Sequence, residues 1–283
     1  MKKRDRLKLG NKDVSTKALR TKMSTELSTD FNQDIYVTEQ DILDALELSA
    51  GSKEAAKFVV PFARGLAKTL GLKSSTAVSD ASTKLLKRIF SKAITQYEKI
   101  VSDVPDIGRM RLLIEKPEDI ENLRNILLGA NPTYTDKRIG DIVDKNPTNE
   151  ITIDEVEDFY HVPSSTGRIG MHITLLVKIF GNIIVPFEIQ VLHKDMVKTE
   201  ELTRDNYMKA QEIKRVAKAQ GRSLTESEQD SVDGYDASSR ERYTADAIHL
   251  DLFDLRRKDL TNTKIKRVVT ENVRRLHLVP PAA

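Results

Sequence analysis

Cysteine is missing from all 283 residues, which excludes disulfides, thiol nucleophiles and cysteine-ligated zinc. Long apolar runs are missing too. No stretch approaches the ~20 residues that span a bilayer, so no membrane partner is expected. Internal repeats and low-complexity tracts are likewise absent. The start, Met1 to Arg6, is basic, but no hydrophobic segment follows it as in a secretory signal. A cytoplasmic protein is the simplest expectation.

What is there reads as a globular chain: 39% hydrophobic and 31% charged residues, enough for one sizeable domain with appendages. The net charge of +3 is small but unevenly spread. Residues 1–23 hold nine Lys and Arg against Asp5 and Asp13, and residues 256–275 hold eight against Asp259 and Glu271. Basic ends of this kind can steer a polyanion such as RNA, and they also arise as solvated tails and helix faces.

Residues 1–35 show no hydrophobic period and are expected to form a flexible basic arm. A helical region over 36–78 follows. Thr38-Glu39-Gln40-Asp41 opens one helix that Gly51 would end, and a second from Ser52 would run to about Leu70 and close at Gly71. Pro61 would kink or divide it. Gly71-Leu72-Lys73-Ser74 lacks the earlier glycine that a phosphate loop requires and is rejected as one. Helical spacing from Ser79 to about Ser102 places Lys84, Lys87, Arg88 and Ser91 on one helix.

Strands are expected at Arg109–Ile114, Ile151–Ile153, Gly170–Phe180 and Ile183–Val191, the last two joined at Gly181-Asn182 as a hairpin. Helices are expected from about Pro117 to Leu128 and from about Asp195 to Gln220, with another opened by the capping box Thr225-Glu226-Ser227-Glu228. The fold class is therefore α/β (α+β): a mixed β-sheet flanked by helices over 79–215, with a helical, basic extension over 216–283.

Two carboxylates stand out in this sheet. Asp106 precedes the first strand, and Glu188 lies inside the apolar strand Pro186 to Leu192. An ionised Glu there is costly to bury without a metal or cationic partner, unless alternation places it with Gln190 on a solvated face. Such carboxylates, with cations to grip phosphates, are what Mg²⁺-assisted phosphoryl or pyrophosphoryl transfer needs. The loop from Asp158 to His172 leads into the longest strand, and Gly167 and Gly170 permit close backbone approach to a ligand.

Taken in order, these segments resemble the synthetase domain of the RelA/SpoT alarmone synthetases, including their small and toxic small forms. The family's Asp-Ile-Ala-Gly-Ile-Arg is matched by Asp106 and Arg111 at identical spacing. Its Asp-Tyr, Pro, Gly-Tyr and His are matched by Asp158, Pro163, Gly167 and His172. Its Glu-Ile-Gln stands intact as Glu188-Ile189-Gln190, followed by Met196 and Glu201, and its Lys-x-x-x-Ser is similar to Lys87 and Ser91.

The resemblance implies a nucleotidyltransferase-like fold and transfer of pyrophosphate from ATP to the 3′-hydroxyl of a nucleotide. It implies that Asp106 and Glu188 hold Mg²⁺ and that Glu188 helps deprotonate the acceptor. Lys87, Ser91, Arg111 and Arg109 would contact ATP; Gly167, Arg168, His172, Gln190 and Glu201 would form the acceptor side. Lys84 and Arg88 are read as solvated helix positions.

Three departures bear on the acceptor. Arg168 stands in place of the stacking tyrosine, and an arginine either stacks through its plane or grips a further phosphate. Ser164 and Leu192 replace two cations. Tyr160 and Tyr207 are the nearby aromatic replacements. The five histidines include no His-Asp pair, so a product-degrading activity is not expected. Two rival expectations follow: a toxin that pyrophosphorylates the 3′ end of tRNA, and a non-catalytic nucleotide- or RNA-binding module. The oligomeric state is not fixed by the sequence.

Overall fold

Branched and apolar residues at every second position force a half-buried sheet, and two of the strands show that alternation along their length, with a third showing it at its centre. The computed structural model describes residues 16–31, 34–96, 101, 104, 106–128, 151–160, 163–164, 166–179 and 183–252. Strands β1 (Ser82–Thr83), β2 (Gly108–Ile114), β3 (Ile151–Asp158), β4 (Met171–Ile179) and β5 (Ile183–His193) form one sheet in the order β1-β2-β5-β4-β3. β2 and β5 run parallel and the other pairs antiparallel, giving the mixed sheet the sequence predicts. The expected Gly181-Asn182 turn lies outside the described residues, as do the basic stretches over 1–15 and 256–275.

Seven helices surround the sheet among the described residues: α1 (Thr16–Phe31), α2 (Glu39–Thr69), α3 (Ser74–Ala77), α4 (Leu86–Gln96), α5 (Pro117–Leu128), α6 (Met196–Ala219) and α7 (Glu226–His249). The apolar sheet face, including Leu112, Ile173, Phe187 and Ile189, is buried in one cluster with Val59, Phe62 and Leu66 of α2 and Leu123 of α5. Each such side chain contributes about 1.5–3 kcal/mol by leaving water. A second cluster joins Leu27 and Phe31 of α1, Ile42 of α2 and Ile89 and Phe90 of α4, which seats α4 beside the sheet. No helix among the described residues is long and apolar enough to cross a membrane.

Three local expectations are corrected. Part of the arm over 1–35 is helical: α1 buries Met23, Leu27 and Phe31, one apolar residue per turn, a stripe too narrow to stand out. Gly51 ends no helix, and Pro61 does not divide one, because α2 passes through both as a single element. A Cβ on Gly51 would lie 2.8 Å from Val185 Cγ2, so glycine is there for close packing on β5. The helix expected from Ser79 starts only at Leu86, since Ser82 and Thr83 pair with Arg109 and Gly108 as β1.

Asp158 closes β3 on the apolar side and is committed to structure. It accepts from Arg124 Nε at 2.6 Å and Nη2 at 3.1 Å, and both side chains are almost wholly buried. Tyr160 N–H donates to the same carboxylate at 3.0 Å, while its hydroxyl accepts from the His193 N–H at 2.9 Å. Burial raises the Tyr160 phenol well above its ordinary value. A stacking role for Tyr160 is thereby excluded. Arg124→Ala leaves a buried carboxylate without its cation and is expected to cost about 3–5 kcal/mol, read by urea unfolding at neutral pH. A change below 1 kcal/mol would show the pair to be dispensable.

Candidate functional site

Strand register gathers the polar residues. β2 pairs with β5 so that Arg109 lies opposite Glu188 and Arg111 opposite Gln190. β4 places Thr174 opposite Glu188 and His172 opposite Gln190, and β3 places Glu157 opposite His172. Partners in register share a face, so these side chains form one polar surface opposite the α2 core. Arg109, Arg111, His172, Glu188 and Gln190 are each half-buried there.

At the β2 end, Asp106 meets two lysines. Lys84 Nζ is 2.6 Å from Oδ2 and Lys92 Nζ is 2.9 Å from Oδ1. Burial alone would raise the Asp106 carboxyl, but the ammonium groups of Lys92 and Lys84 outweigh it and hold the pKa at about 2. Lys84 is itself pulled below the ordinary lysine value, chiefly by burial, against the attraction of Asp106. With only 10% of its side chain exposed, Lys84 is no solvated helix position. It precedes α4 in an extended segment, and its N–H donates to the Ile107 carbonyl at 2.8 Å.

At the centre, Glu188 Oε1 accepts from Gln190 Nε2 at 2.6 Å, and its Oε2 lies 3.5 Å from His172 Nδ1. The same His172 nitrogen is 3.6 Å from Glu157, and the ring stands edge-on to Phe159 at 5.1 Å. The neighbouring His172 ring is the main reason the Glu157 carboxyl is held below its usual value. Glu188, 13% exposed, therefore faces an enclosed polar surface rather than open solvent.

The remaining candidates fall less evenly. Lys87 of α4 turns to Asp30 of α1, 2.9 Å away, so the α4 lysine that reaches Asp106 is Lys92. Ser91 is buried beside it. Arg88 Nη2 lies 3.6 Å from Met208 Sδ, across the gap between α4 and α6. Gly167 and Arg168 belong to a tight turn in which Gly167 N–H donates to the Ser164 carbonyl and Arg168 N–H to the Ser164 hydroxyl. Glu201 is exposed on α6; its neighbour Glu200 turns inward, bridging Arg111 and Arg168. That orientation could have been found, since residue 200 lies four after buried Met196 and three before buried Thr203. Lys92 and Lys84 gave no comparable signal. Tyr207 is exposed two turns beyond Glu200, open to a planar ligand.

The two carboxylates suit a hard cation. Mg²⁺ typically takes one or two protein carboxylates and completes its shell from water and phosphate. Asp106 and Glu188 would supply that oxygen chemistry, the Asp106 oxygens being shared with Lys84 and Lys92. Among the described residues no group of three or more His, Asp or Glu is arranged to hold an ion.

No family model matches the chain, and no curated protein matches it. Solved structures do. The chain is similar to small alarmone synthetase 1 from Bacillus subtilis at 15% identity, over 72% of this chain and 94% of that one, with a TM-score of 0.41. It is similar to a GTP pyrophosphokinase family protein from Streptococcus pneumoniae at 13% identity, over 76% and 90%, with a TM-score of 0.38. A third likeness is to the structure of the Type VI effector Tas1 with its immunity protein, at 15% identity over 81% and 95%, with a TM-score of 0.34.

Because the Asp106 pKa is depressed in the folded state, its contribution to stability is complete above the ordinary value of 3.8 and is lost as pH falls toward about 2. Urea unfolding between pH 6 and pH 2 is expected to show this loss in the unaltered chain and a shallower one in Asp106→Asn. Gly167 offers a second check. It has φ of +78°, and an added Cβ would sit 2.7 Å from the Arg240 Cα of α7. Gly167→Ala is expected to lower stability by about 1–2 kcal/mol from the left-handed backbone alone, with more from the overlap. An unchanged melting temperature would contradict the contact.

Proposed function

We propose that this chain is a Mg²⁺-dependent pyrophosphokinase that moves the β,γ-pyrophosphate of ATP to the 3′-hydroxyl of a purine nucleotide. One observation carries the reading: the β2–β5 register sets Glu188 beside a row of arginines and next to the strand that Asp106 opens. The ordered motifs of the alarmone synthetases support it through Arg111, His172, Glu188 and Gln190, which share this polar face, whereas Asp158 lies on the apolar side and Lys87 turns to Asp30. Asp106 and Glu188 would hold Mg²⁺, which supplies charge neutralisation on the phosphates when bound.

The chain's own groups supply the rest. Arg109, opposite Glu188, grips phosphate oxygens of ATP by charge-assisted hydrogen bonds, which matters most where charge accumulates in transfer. Glu188 accepts the proton of the acceptor 3′-hydroxyl, and His172, 3.5 Å from its Oε2, orients that carboxylate. The hydroxyl oxygen then bonds to the β-phosphorus as the bond to the bridging oxygen breaks, and AMP leaves with the electron pair. Ser91 and Gln190 assist by hydrogen bonding. Arg168 faces the acceptor, and an exposed Tyr207 is the aromatic side chain available for stacking.

The purified chain, given labelled ATP, Mg²⁺ and in turn GDP, GTP, ADP, AMP and bulk tRNA, is expected to label a nucleotide 3′ position. Glu188→Gln should lower turnover by about 10²–10⁴-fold, the usual contribution of a general base. Label appearing on tRNA alone would replace the small acceptor by an RNA end. Nucleotide binding without transfer to any acceptor would leave only a binding module.

A further inference from the structure

The polar face contains an ion-pair bridge whose carboxylate, Glu200, the proposed transfer does not use, and which joins Arg111, expected on the ATP side, to Arg168 of the acceptor side. Glu200 of α6 accepts from Arg111 Nη2 through Oε2 at 2.6 Å and from Arg168 Nη2 through Oε1. The two guanidinium groups come from separate elements, β2 and the Ser164–Arg168 turn, yet converge on one carboxylate. Two oxygens of a single anion, each taking one arginine, form an arrangement that two oxygens of a phosphate group reproduce. Without an anion between them, two like charges so placed would repel.

The two arginines and the carboxylate they share are carried differently. Arg168 is carried on a turn closed by three hydrogen bonds between Ser164 and residues 167–168. Behind that turn Gly167 is pressed against the backbone of α7 at Arg240. Arg111 stands on a central strand paired along its length with β5. Glu200 belongs to neither of these elements: it reaches both arginines from α6, with 16% of its side chain exposed to solvent. Two cations carried on hydrogen-bonded backbone thus share one carboxylate that comes from a separate helix.

We propose that Arg111 and Arg168 form a binding site for one phosphate group of the acceptor nucleotide, and that Glu200 is an internal plug which that phosphate must displace. The inference rests on the reading of this face as a nucleotide site and adds to it a phosphate-counting element where the resemblance leads one to expect an aromatic ring. An occupied plug lowers apparent affinity by the fraction of molecules whose site is open. Its removal therefore strengthens binding, whereas removal of a group that merely orients Arg168 weakens it.

The test uses the full chain without ATP, so that binding is read apart from turnover. Calorimetric titration with GMP, GDP and GTP is performed on the unaltered chain and on Glu200→Gln, whose neutral amide cannot bridge both arginines. The di- and triphosphate are expected to bind about tenfold more tightly to E200Q, as when the plug is in place in about nine-tenths of molecules. The gain should disappear in the double variant with Arg168→Gln. Glu200→Ala carries the same expectation, and thermal melting verifies the fold of each variant. Equal or weaker binding by the folded variants would overturn the plug. Transfer activity with unchanged binding in E200Q would reject the plug and keep the proposed function; tighter binding with no transfer to any acceptor would do the reverse.

Discussion

Everything at the polar face depends on the parallel pairing of β2 with β5. Side chains along a strand alternate, so a slip of one residue would turn Glu188 and Gln190 into the core and bring Phe187 or Ile189 out. The observed register does the opposite, setting Arg109 and Arg111 against Glu188 and Gln190 along one face. The apolar face fixes that choice, since Met110, Leu112, Phe187 and Ile189 are all buried beneath α2 and α5. Packing on one side of the sheet thus decides the electrostatics of the other.

Those electrostatics are balanced locally. Asp106 has Lys84 and Lys92, Glu188 has Gln190 and His172, and Glu200 has Arg111 and Arg168. Each carboxylate is half-buried, where an isolated charge would be expensive, and each is met from a different element. The same logic in a dry setting produces the Arg124–Asp158 pair, which joins α5 to β3. Charge pairing on this chain therefore ties helices to the sheet as well as lining its polar face.

Strands β2, β4 and β5 were legible because alternation and branched runs are local signals, whereas β1 was read as helix and β3 only over Ile151–Ile153; α5 and the capped start of α7 were legible because proline, acidic first turns and a capping box are local as well. Asp106 and Glu188 could be singled out for the same reason: each stands beside or within an apolar strand. The errors arise where a distant neighbour decides. Gly51 reads as a helix end until β5 is seen against it, and Lys84 reads as solvated until β1 pairs with β2. Lys87 and Lys92 are indistinguishable in sequence, and only the presence of Asp30 on α1 draws one of them away. Arg168 could be recognised as a departure, but its link to Glu200 crosses a loop, two strands and a helix turn.

Gly108 sits between Asp106 and Arg109, and a side chain there would meet Ser52 Oγ at 2.3 Å and the Phe187 ring at 2.4 Å. No slack separates the long helix from the strand at this point. α2 therefore acts as a depth stop for the edge of the polar face: a shift of the helix toward or away from the sheet is passed on to the residue two places before Gly108. The position of a carboxylate on the polar face is set by how deeply a helix rests on the apolar one.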